Sequence, residues 1–436
     1  FDLDNIVVRW LNPVSEPTDP FHWRGITGDY NTASLWTNGI LPSGNDHAVI
    51  DVGVATGAVN LQGTGSLTVT GSGGLNASSI QVAGAAGTQG RLILSGNARV
   101  ASSGDFYVAN GAGASGAVTI GDNARLQVNG LYTVIGRGGL GQVEQNGGTV
   151  NLRRLYIAEN TGSAGSTYTL NAGVLTTSDV MEVGRTDVGW FIQNGGSVTA
   201  ASDVYIANKQ GGGGAPGGST YQMNAGTLTV NGTHTVVGRG DDGYFVQNGG
   251  TVNLKRLFIS EFGGSAGSTY TMNAGTLTLS QRMEVGRSEL GTFTQTGGVV
   301  NALAVEASPD DFSIMIGRYG PGVYNLQGGT LHVNVLRKGS SGQFNFTGGR
   351  LDAQQVQFDL TNAGGILAPA DTAIGTTAIL GNYTQTAAGI LEIDIESLSS
   401  FDTVSVQGNA VLAGQVLVDL WGSYSPGLGE GFNRNF

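Results

Sequence analysis

The 436-residue chain contains no cysteine, which excludes disulfides, thiol catalysis and Cys-ligated metal sites. Charged residues are few, at 12% of the chain, and lysine occurs only at positions 209, 255 and 338. The formal net charge is −12, which argues against nucleic acids and anionic membranes as partners because both require a basic protein surface. No run of 18 apolar residues occurs, so we expect no transmembrane segment.

Glycine, by contrast, is abundant, with 75 of the 436 residues. These glycines follow no Gly-X-Y period, which excludes collagen. The hydrophobic fraction of 39% is too high for a disordered chain. The composition therefore indicates a folded protein with many turns.

Internal repetition is the strongest signal in the sequence. Residues 145–185 and 247–287 align without a gap at an offset of 102 residues, with 31 identities in 41 positions. A shorter unit of roughly 20 to 30 residues lies within this period, and each unit contains one small-residue turn. The turns are Asn146-Gly147-Gly148, Asn171-Ala172-Gly173, Asn194-Gly195-Gly196, Asn224-Ala225-Gly226, Asn248-Gly249-Gly250, Asn273-Ala274-Gly275, Thr296-Gly297-Gly298, Gln327-Gly328-Gly329 and Thr347-Gly348-Gly349.

Apolar residues alternate with polar ones inside each unit, as in Leu155-x-Ile157 and Met283-x-Val285, which predicts short strands. Strands of three to five residues that repeat at this spacing are typical of the coils of a β-solenoid, whereas propeller blades need roughly 40 to 50 residues. We therefore predict an all-β fold: a single elongated β-solenoid of about eleven or more coils, eleven of them between Leu92 and Leu360.

The two ends differ in composition from the middle, which predicts three regions. Residues 1–50 hold four of the nine prolines and three of the five tryptophans, as expected of an N-terminal cap over the first coil. Residues 51–375 form the repeat region. Residues 376–436 lose the Asn-Gly-Gly turn but keep strand patterns, which predicts a distinct C-terminal β module or cap.

Several segments resemble those of a known group of exported proteins. They are GNYTQ at 381–385, LEIDI at 391–395, the FDTVSVQGNAVLAG segment at 401–414, the Pro426-Gly427-x-Gly429 turn and the WTNGILPSGNDHAVI segment at 36–50. These segments resemble the passenger repeats of autotransporter-like proteins and of PEP-CTERM-type secreted bacterial proteins. The resemblance implies an extracellular or cell-surface β-solenoid with a structural or adhesive role. The chain starts at Phe1 without Met, which fits a secretory signal peptide that has been removed.

Many β-helices cleave polysaccharides, so we also looked for catalytic residues. Glycoside hydrolysis requires two carboxylates that face each other across a sugar. The only adjacent acidic pairs, Asp241-Asp242 and Asp310-Asp311, lie in predicted turns. The four histidines show no metal-binding spacing. We therefore predict a non-enzymatic protein with no cofactor and no metal, whose partner is another copy of itself or an extracellular glycan. A polysaccharide-binding or polysaccharide-cleaving β-helix is the alternative.

Stacked coils place equivalent residues in rows, and one predicted row carries charge. Arginine occupies every second coil as far as Arg287, with glutamate or asparagine between, which avoids like-charge contact at about 4.8 Å, and Arg318 closes the row. This charge row either fixes the register of the coils or binds an anion or acidic sugar. Its members are Arg137, Glu159, Arg185, Asn208, Arg239, Glu261, Arg287 and Arg318.

A second row lies one residue before the last inward apolar position of each coil and is predicted to face outward. Its aromatic members, at about 10 Å intervals, are Tyr107, Tyr156, Tyr205 and Phe258, with Val134, Glu182, Val236 and Glu284 in the other coils. An exposed aromatic row is a candidate for sugar stacking or for contact with a second copy. The other interpretation is that loops cover the row or that it only supports strand pairing.

Rows of threonine follow each turn, as in Thr227-x-Thr229 and Thr276-x-Thr278. Such rows resemble the flat faces of ice-binding solenoids. Interruptions at Asn151, Val174 and Val299 favour the simpler explanation that threonine pairs well between strands.

Overall fold

The protein is described by a computed structural model that covers residues 20–37, 39–209, 218–305, 311–422 and 424–427. It is all-β, with 52% strand and 1% helix, and forms a β-solenoid of about 15 turns, as the repeats predict. At about 4.8 Å per turn these turns extend over roughly 70 Å. The one described helix is the short 3-10 segment Ala33–Leu35, and the described residues contain no helix able to cross a membrane.

The turns stack in parallel and align their strands on three faces. The strands of face 1 are Phe21–His22, His47–Ile50, Ser66–Val69, Gln89–Leu94, Ser115–Ile120, Leu140–Gln145, Ser166–Leu170, Gly189–Gln193, Ser219–Met223, Gly243–Gln247, Ser268–Met272, Gly291–Gln295, Gly322–Leu326, Gly342–Phe346, Leu360–Asn362, Tyr383–Gln385 and Ala410–Val411.

Faces 2 and 3 follow face 1 in every complete turn. The strands of face 2 are Gly28–Asp29, Arg99–Ser102, Arg125–Val128, Thr149–Leu152, Val174–Thr177, Ser197–Ala200, Thr227–Val230, Thr251–Leu254, Thr276–Leu279, Val299–Ala302, Ile366–Leu367, Ile390–Ser397 and Gln415–Leu420. The strands of face 3 are Phe106–Val108, Thr133–Ile135, Leu155–Ile157, Met181–Val183, Val204–Ile206, His234–Val237, Arg256–Ile259, Met283–Val285, Ile314–Ile316, Thr376–Ile379 and Thr403–Val406. Four longer strands run along both faces: Val54–Leu61, Gly74–Val82, Thr330–Lys338 and Arg350–Val356.

A stack of aromatic rings fills the interior behind face 1. Adjacent rings have centroids 4.5 to 5.2 Å apart and planes within 25° of parallel. Burial of each ring contributes roughly 1.5 to 3 kcal/mol to stability. The rings, one per turn, are those of Tyr168, Phe191, Tyr221, Phe245, Tyr270, Phe293 and Tyr324.

Buried glutamines satisfy the tyrosine hydroxyls of this stack. Each tyrosine donates to the glutamine Oε1 of the preceding turn, for example Tyr270 to Gln247 at 2.7 Å. The glutamine Nε2 in turn donates to backbone carbonyls, those of Gly250 and Thr276 in the case of Gln247. Because a buried polar group without a partner is costly, tyrosine and glutamine have to occur in adjacent turns. The other pairs are Tyr168–Gln145, Tyr221–Gln193 and Tyr324–Gln295.

Residue types also alternate between adjacent turns at the corner after face 3, where glycine in one turn lies against serine in the next. Gly238 has a φ of +78°, and a Cβ on it would lie 1.7 Å from the Ser268 Oγ of the following turn. The Ser268 hydroxyl accepts a hydrogen bond from the Gly243 amide and donates one to the Ser265 carbonyl, so its position is fixed. The structural repeat is therefore a pair of turns, and the 102-residue offset covers two such pairs.

An asparagine ladder connects the predicted small-residue turns between faces 1 and 2. Each Nδ2 donates to the Oδ1 of the preceding turn, as from Asn248 to Asn224 and from Asn273 to Asn248, both at 2.8 Å. The third residue of these turns has a positive φ, as at Gly250. The positions and residue types of these turns were predicted correctly.

The strands after residue 376 pair in register with the strands of the preceding turns. Thr403–Val406 pairs in parallel with Thr376–Ile379, and Gln415–Leu420 pairs in parallel with Ile390–Ser397. These strands join the same faces as the strands before them. Residues 376–420 thus continue the solenoid.

The N-terminal region also contributes to the first turns. Phe21–His22 pairs with His47–Ile50, and the buried rings of Trp23 and Trp36 meet edge to face at 5.2 Å. Residues 1–19 of the predicted cap lie outside the described residues. Caps at the two ends stay predictions.

The tyrosine–glutamine pairs lead to a stability prediction. We expect Tyr270→Phe to lower the free energy of unfolding by about 1 to 3 kcal/mol, because it leaves the buried Gln247 Oε1 without a donor. Urea denaturation measures this change. Tyr244→Phe is the matched control on the partly exposed outer surface of the adjacent turn, and an equal effect of both variants would contradict the interpretation.

Candidate functional site

The outer side of face 3 carries the predicted aromatic row. The pairing register places its members opposite one another in successive turns, in the order Tyr107, Val134, Tyr156, Glu182, Tyr205, Val236, Phe258 and Glu284. The predicted alignment of these residues is therefore correct.

Of the two interpretations of this row, the one that requires exposed rings does not hold for Phe258 and Tyr156. Phe258 is fully buried, Tyr156 is 3% exposed, and Tyr107 and Tyr205 are partly buried. Arginine side chains of the next turn cover the rings, so the surface offers no continuous aromatic strip. The row is thus an outer layer of packing, and neither a glycan nor a second copy can stack on Phe258.

The arginines of the charge row provide this cover. Each guanidinium lies over the ring of the preceding turn, in contacts that combine cation–π attraction with exclusion of water. The distances from Cζ to ring centroid are 5.2 Å for Arg137 on Tyr107, 4.4 Å for Arg185 on Tyr156, 4.2 Å for Arg239 on Tyr205 and 4.1 Å for Arg287 on Phe258.

The same arginines form ion pairs with the glutamates between them. Glu159 lies 3.2 Å from both Arg137 and Arg185. Glu261 lies 3.4 Å from Arg239 and 3.7 Å from Arg287. The contacts expected between unlike charges on adjacent turns are therefore present, and these guanidinium groups are already neutralised.

Two buried glutamates of the aromatic row complete the network. Glu182 lies 3.5 Å from Arg185, and Glu284 pairs with Arg318 at 2.5 Å and with Arg282 at 2.8 Å. Burial raises the pKa of the Glu182 carboxyl, against the lowering effect of a hydrogen bond from Asn208. Burial likewise raises the pKa of Glu261, against the effect of its two arginines. These carboxylates depend on the arginines to remain charged.

The outer surface of face 1 holds two aromatic residues that the sequence analysis did not select. Trp190 and Tyr244 are partly exposed and occupy the same column, with Thr220 directly between them. Two strand spacings separate the rings, or about 10 Å. Thr220 itself is 6% exposed. The available signal was their alternation with the inward-facing Phe191 and Phe245 of the same strands.

The acidic pairs considered for catalysis have structural partners. Asp241 accepts a hydrogen bond from the Asp242 amide at 2.9 Å, and Asp242 accepts one from the Gly267 amide at 2.7 Å. Asp311 forms an ion pair with Arg337 at 3.1 Å, and Asp310 lies outside the described residues. Each of these contacts stabilises a turn or joins adjacent turns.

One mixed cluster on the outer side of face 2 was not predicted. Arg350 binds Asp371 and both carboxylate oxygens of Glu392, and His332 hydrogen-bonds Asp352 at 2.8 Å. The hydrogen bond to Asp352 raises the pKa of His332. The hydrogen bond that the Arg350 guanidinium donates, together with its charge, lowers the pKa of Glu392. Across the described ranges, no group of three or more His, Asp or Glu is arranged to hold a metal ion.

The threonine rows lie on the outer side of face 2 as expected. Thr227, Thr251 and Thr276 are directly opposite one another in successive turns and are partly exposed. Valines at 174 and 299 stand in the same column. This surface is flat and polar, with the interruptions that the sequence shows.

Comparison with protein-family models, with curated proteins and with solved structures finds no match for this chain. Function therefore has to be inferred from the contacts, charges and surfaces described above.

The arginine cover leads to a pH-dependent prediction. We expect Arg185→Met to destabilise the protein by about 1 to 3 kcal/mol at pH 7, because the buried Glu182 loses a compensating charge. A glutamate whose pKa is raised by folding gives stability below its unfolded pKa that is lost as pH rises. The loss in Arg185→Met should therefore shrink as pH falls towards about 4.

Urea denaturation at several pH values measures this effect. Arg91→Met, an exposed arginine on face 1, is the control and should change little. Adding Glu182→Gln to Arg185→Met should remove the extra pH dependence. A loss in Arg185→Met that is constant from pH 4 to pH 7 would count against the account.

Proposed function

We propose that this protein is a non-enzymatic structural or adhesive β-solenoid of the cell surface or extracellular matrix. The observation that carries the proposal is the filled interior, in which aromatic rings and tyrosine–glutamine pairs continue from turn to turn. Such an interior favours a stiff solenoid. Because the interior is filled, the side chains that contact a partner have to lie on the outer faces. The extracellular location rests on the resemblance to exported β-solenoid proteins.

The described charged groups support a structural role. The arginines of the charge row have glutamate and aromatic partners, and the carboxylates of Asp241 and Asp242 hold turns. Catalytic carboxylates require a free approach to substrate, whereas these groups join one turn to the next. The geometry thus favours a structural role over cleavage of a polysaccharide.

Self-assembly into a fibre, sheath or matrix is part of this proposal. Regular rows of outer side chains repeat every two turns, so that one favourable contact between two copies recurs along their length. Negative-stain electron microscopy of the protein across a concentration series at physiological salt tests this. We expect ordered filaments or sheets above a threshold concentration. Isolated short rods at every concentration would refute the self-assembly.

Polysaccharide binding is a second candidate, favoured by the pair of outer rings on face 1. Trp190 and Tyr244 offer two apolar surfaces about 10 Å apart on a flat sheet, a suitable platform for sugar rings. This assignment replaces the aromatic row of face 3, which the arginines cover.

A glycan screen with matched variants tests this candidate. We expect Trp190→Ala with Tyr244→Ala to weaken binding of a neutral polysaccharide at least about tenfold, since each lost stacking contact contributes roughly 1 kcal/mol. Thr269→Ala with Thr292→Ala alters the same column without removing a ring and is the control. Unchanged binding in the ring variant would refute the platform.

A further inference from the structure

We propose that an open cavity beside Arg99 and Arg125 binds an oxyanion, a carboxylate or sulfate group, and that an acidic polysaccharide carries it. The polysaccharide part rests on the extracellular role proposed above, and the oxyanion part does not. The cavity has a volume of about 430 Å³, and Asn97, Asp122, Asn123, Gly148 and Thr149 complete its lining.

The first argument is the pairing of two like charges. Arg99 and Arg125 are directly opposite each other in adjacent parallel strands of face 2, and both are exposed. Neighbouring strands lie about 4.8 Å apart, and like charges in this position repel. In the charge row of face 3, glutamate or asparagine separates the arginines from Arg137 to Arg287, and the adjacent Arg287 and Arg318 both contact Glu284, at 3.7 Å and 2.5 Å. The pair on face 2 lacks such a residue.

The second argument is that no carboxylate of a described residue forms an ion pair with either arginine. No carboxylate of a described residue lies within 4.0 Å of either guanidinium. The next residues along the same two strands that face outward are Ala101 and Gln127, which are uncharged. The arginine column continues to Gly74 on one side and to Thr149 on the other. Apart from the Asp122 carboxylate, which lines the same cavity beyond ion-pair distance, only solvent or a ligand compensates the charge of the two guanidinium groups.

The third argument is the shape of the backbone at this place. Four residues connect faces 1 and 2 before Arg99 and before Arg125, at 95–98 and 121–124. Only three residues, 146–148, make the same connection before Thr149. The cavity lies at this change of turn length, where two longer turns stand beside a shorter one.

The lining groups suit an anion. The two guanidinium groups offer planar sets of N–H donors, which match the oxygens of carboxylate and sulfate. The amides of Asn97 and Asn123 and the hydroxyl of Thr149 add neutral donors. One group opposes an anion, the carboxylate of Asp122, although its Oδ2 accepts a hydrogen bond from the Gly96 amide at 2.7 Å.

The protein as a whole is acidic, with a net charge of −12, so general attraction does not draw anions to it. Binding of an acidic polymer therefore requires a local basic site. The arginine pair is such a site, whereas the arginines of face 3 already have glutamate partners.

Calorimetric titration with sodium sulfate, with polygalacturonate and with neutral dextran tests the proposal on the full chain. We expect polygalacturonate and sulfate to bind, and Arg99→Gln with Arg125→Gln to lower both affinities about tenfold or more. Arg91→Gln is the matched control, because Arg91 is exposed in the same turn as Arg99 and has the neutral Ala117 and Ser66 opposite. It should change neither affinity.

A third variant predicts a gain. Asp122→Asn removes the one opposing charge and should strengthen binding of both anions several-fold. Asparagine also tolerates the φ of +53° at this position. Thermal unfolding without added anion serves as the check on folding, and Arg125→Gln alone should be at least as stable as the wild type because repulsion is relieved.

The outcomes separate the two parts of the proposal. Binding of sulfate without polygalacturonate would overturn the polysaccharide assignment and leave the oxyanion site. Equal binding by the wild type and the double arginine variant, or no anion binding by the wild type, would overturn the site. Adhesion to neutral glycan or filament formation without anion binding would leave the proposed function in place and refute the site alone.

Discussion

In-register parallel stacking is the constraint from which the other features of this molecule follow. Every side chain has counterparts about 4.8 Å away in the turns before and after it. Apolar residues gain from this arrangement, because identical neighbours pack on one another, as the rings of Phe245 and Tyr270 do at 4.5 Å. Charged and hydrogen-bonding residues gain only when their neighbours differ from them.

The two-turn repeat is the solution that this sequence uses. Gln247 needs the Tyr270 hydroxyl, Gly238 makes room for Ser268, and Glu261 separates Arg239 from Arg287. Each of these pairings requires one residue type in one turn and its complement in the next. The 102-residue offset between the two similar segments of the sequence is the visible result, and it corresponds to four turns. Alternation also stops at Arg287 and Arg318, but these two share Glu284, whereas Arg99 and Arg125 have no ion-pair partner and form the proposed anion site.

Much of the fold could be predicted from the sequence, because turns and strand alternation are local signals. The Asn-Gly-Gly turns occur where glycine can adopt a positive φ, and the strand positions follow from period-two patterns. The alignment of Arg137, Glu159 and Arg185 could be predicted as well, since equal spacing means equal position in a solenoid. The interior glutamines could not, since glutamine is mostly found on surfaces and Gln247 is buried only through its partner one turn away.

The exposure of the aromatic row could not be predicted for a related reason. Alternation assigns a residue to the outer side of a strand, but it does not say what lies above that side. At Phe258 the cover is Arg287, which reaches back from the following turn. Trp190 and Tyr244 are the opposite case, since they lie on the outer side of strands whose inward-facing Phe191 and Phe245 are buried, and both remain partly exposed.

Replacing Glu261 tests most directly whether in-register stacking requires unlike charges in adjacent turns of this molecule. Glu261→Arg would place four arginines on successive turns, at positions 239, 261, 287 and 318, and Glu261→Gln would remove the charge without repulsion. The account predicts that urea denaturation at low salt shows a larger loss of stability for arginine than for glutamine, by about 1 kcal/mol or more, and that added salt narrows the difference. Equal stability of the two variants would contradict it.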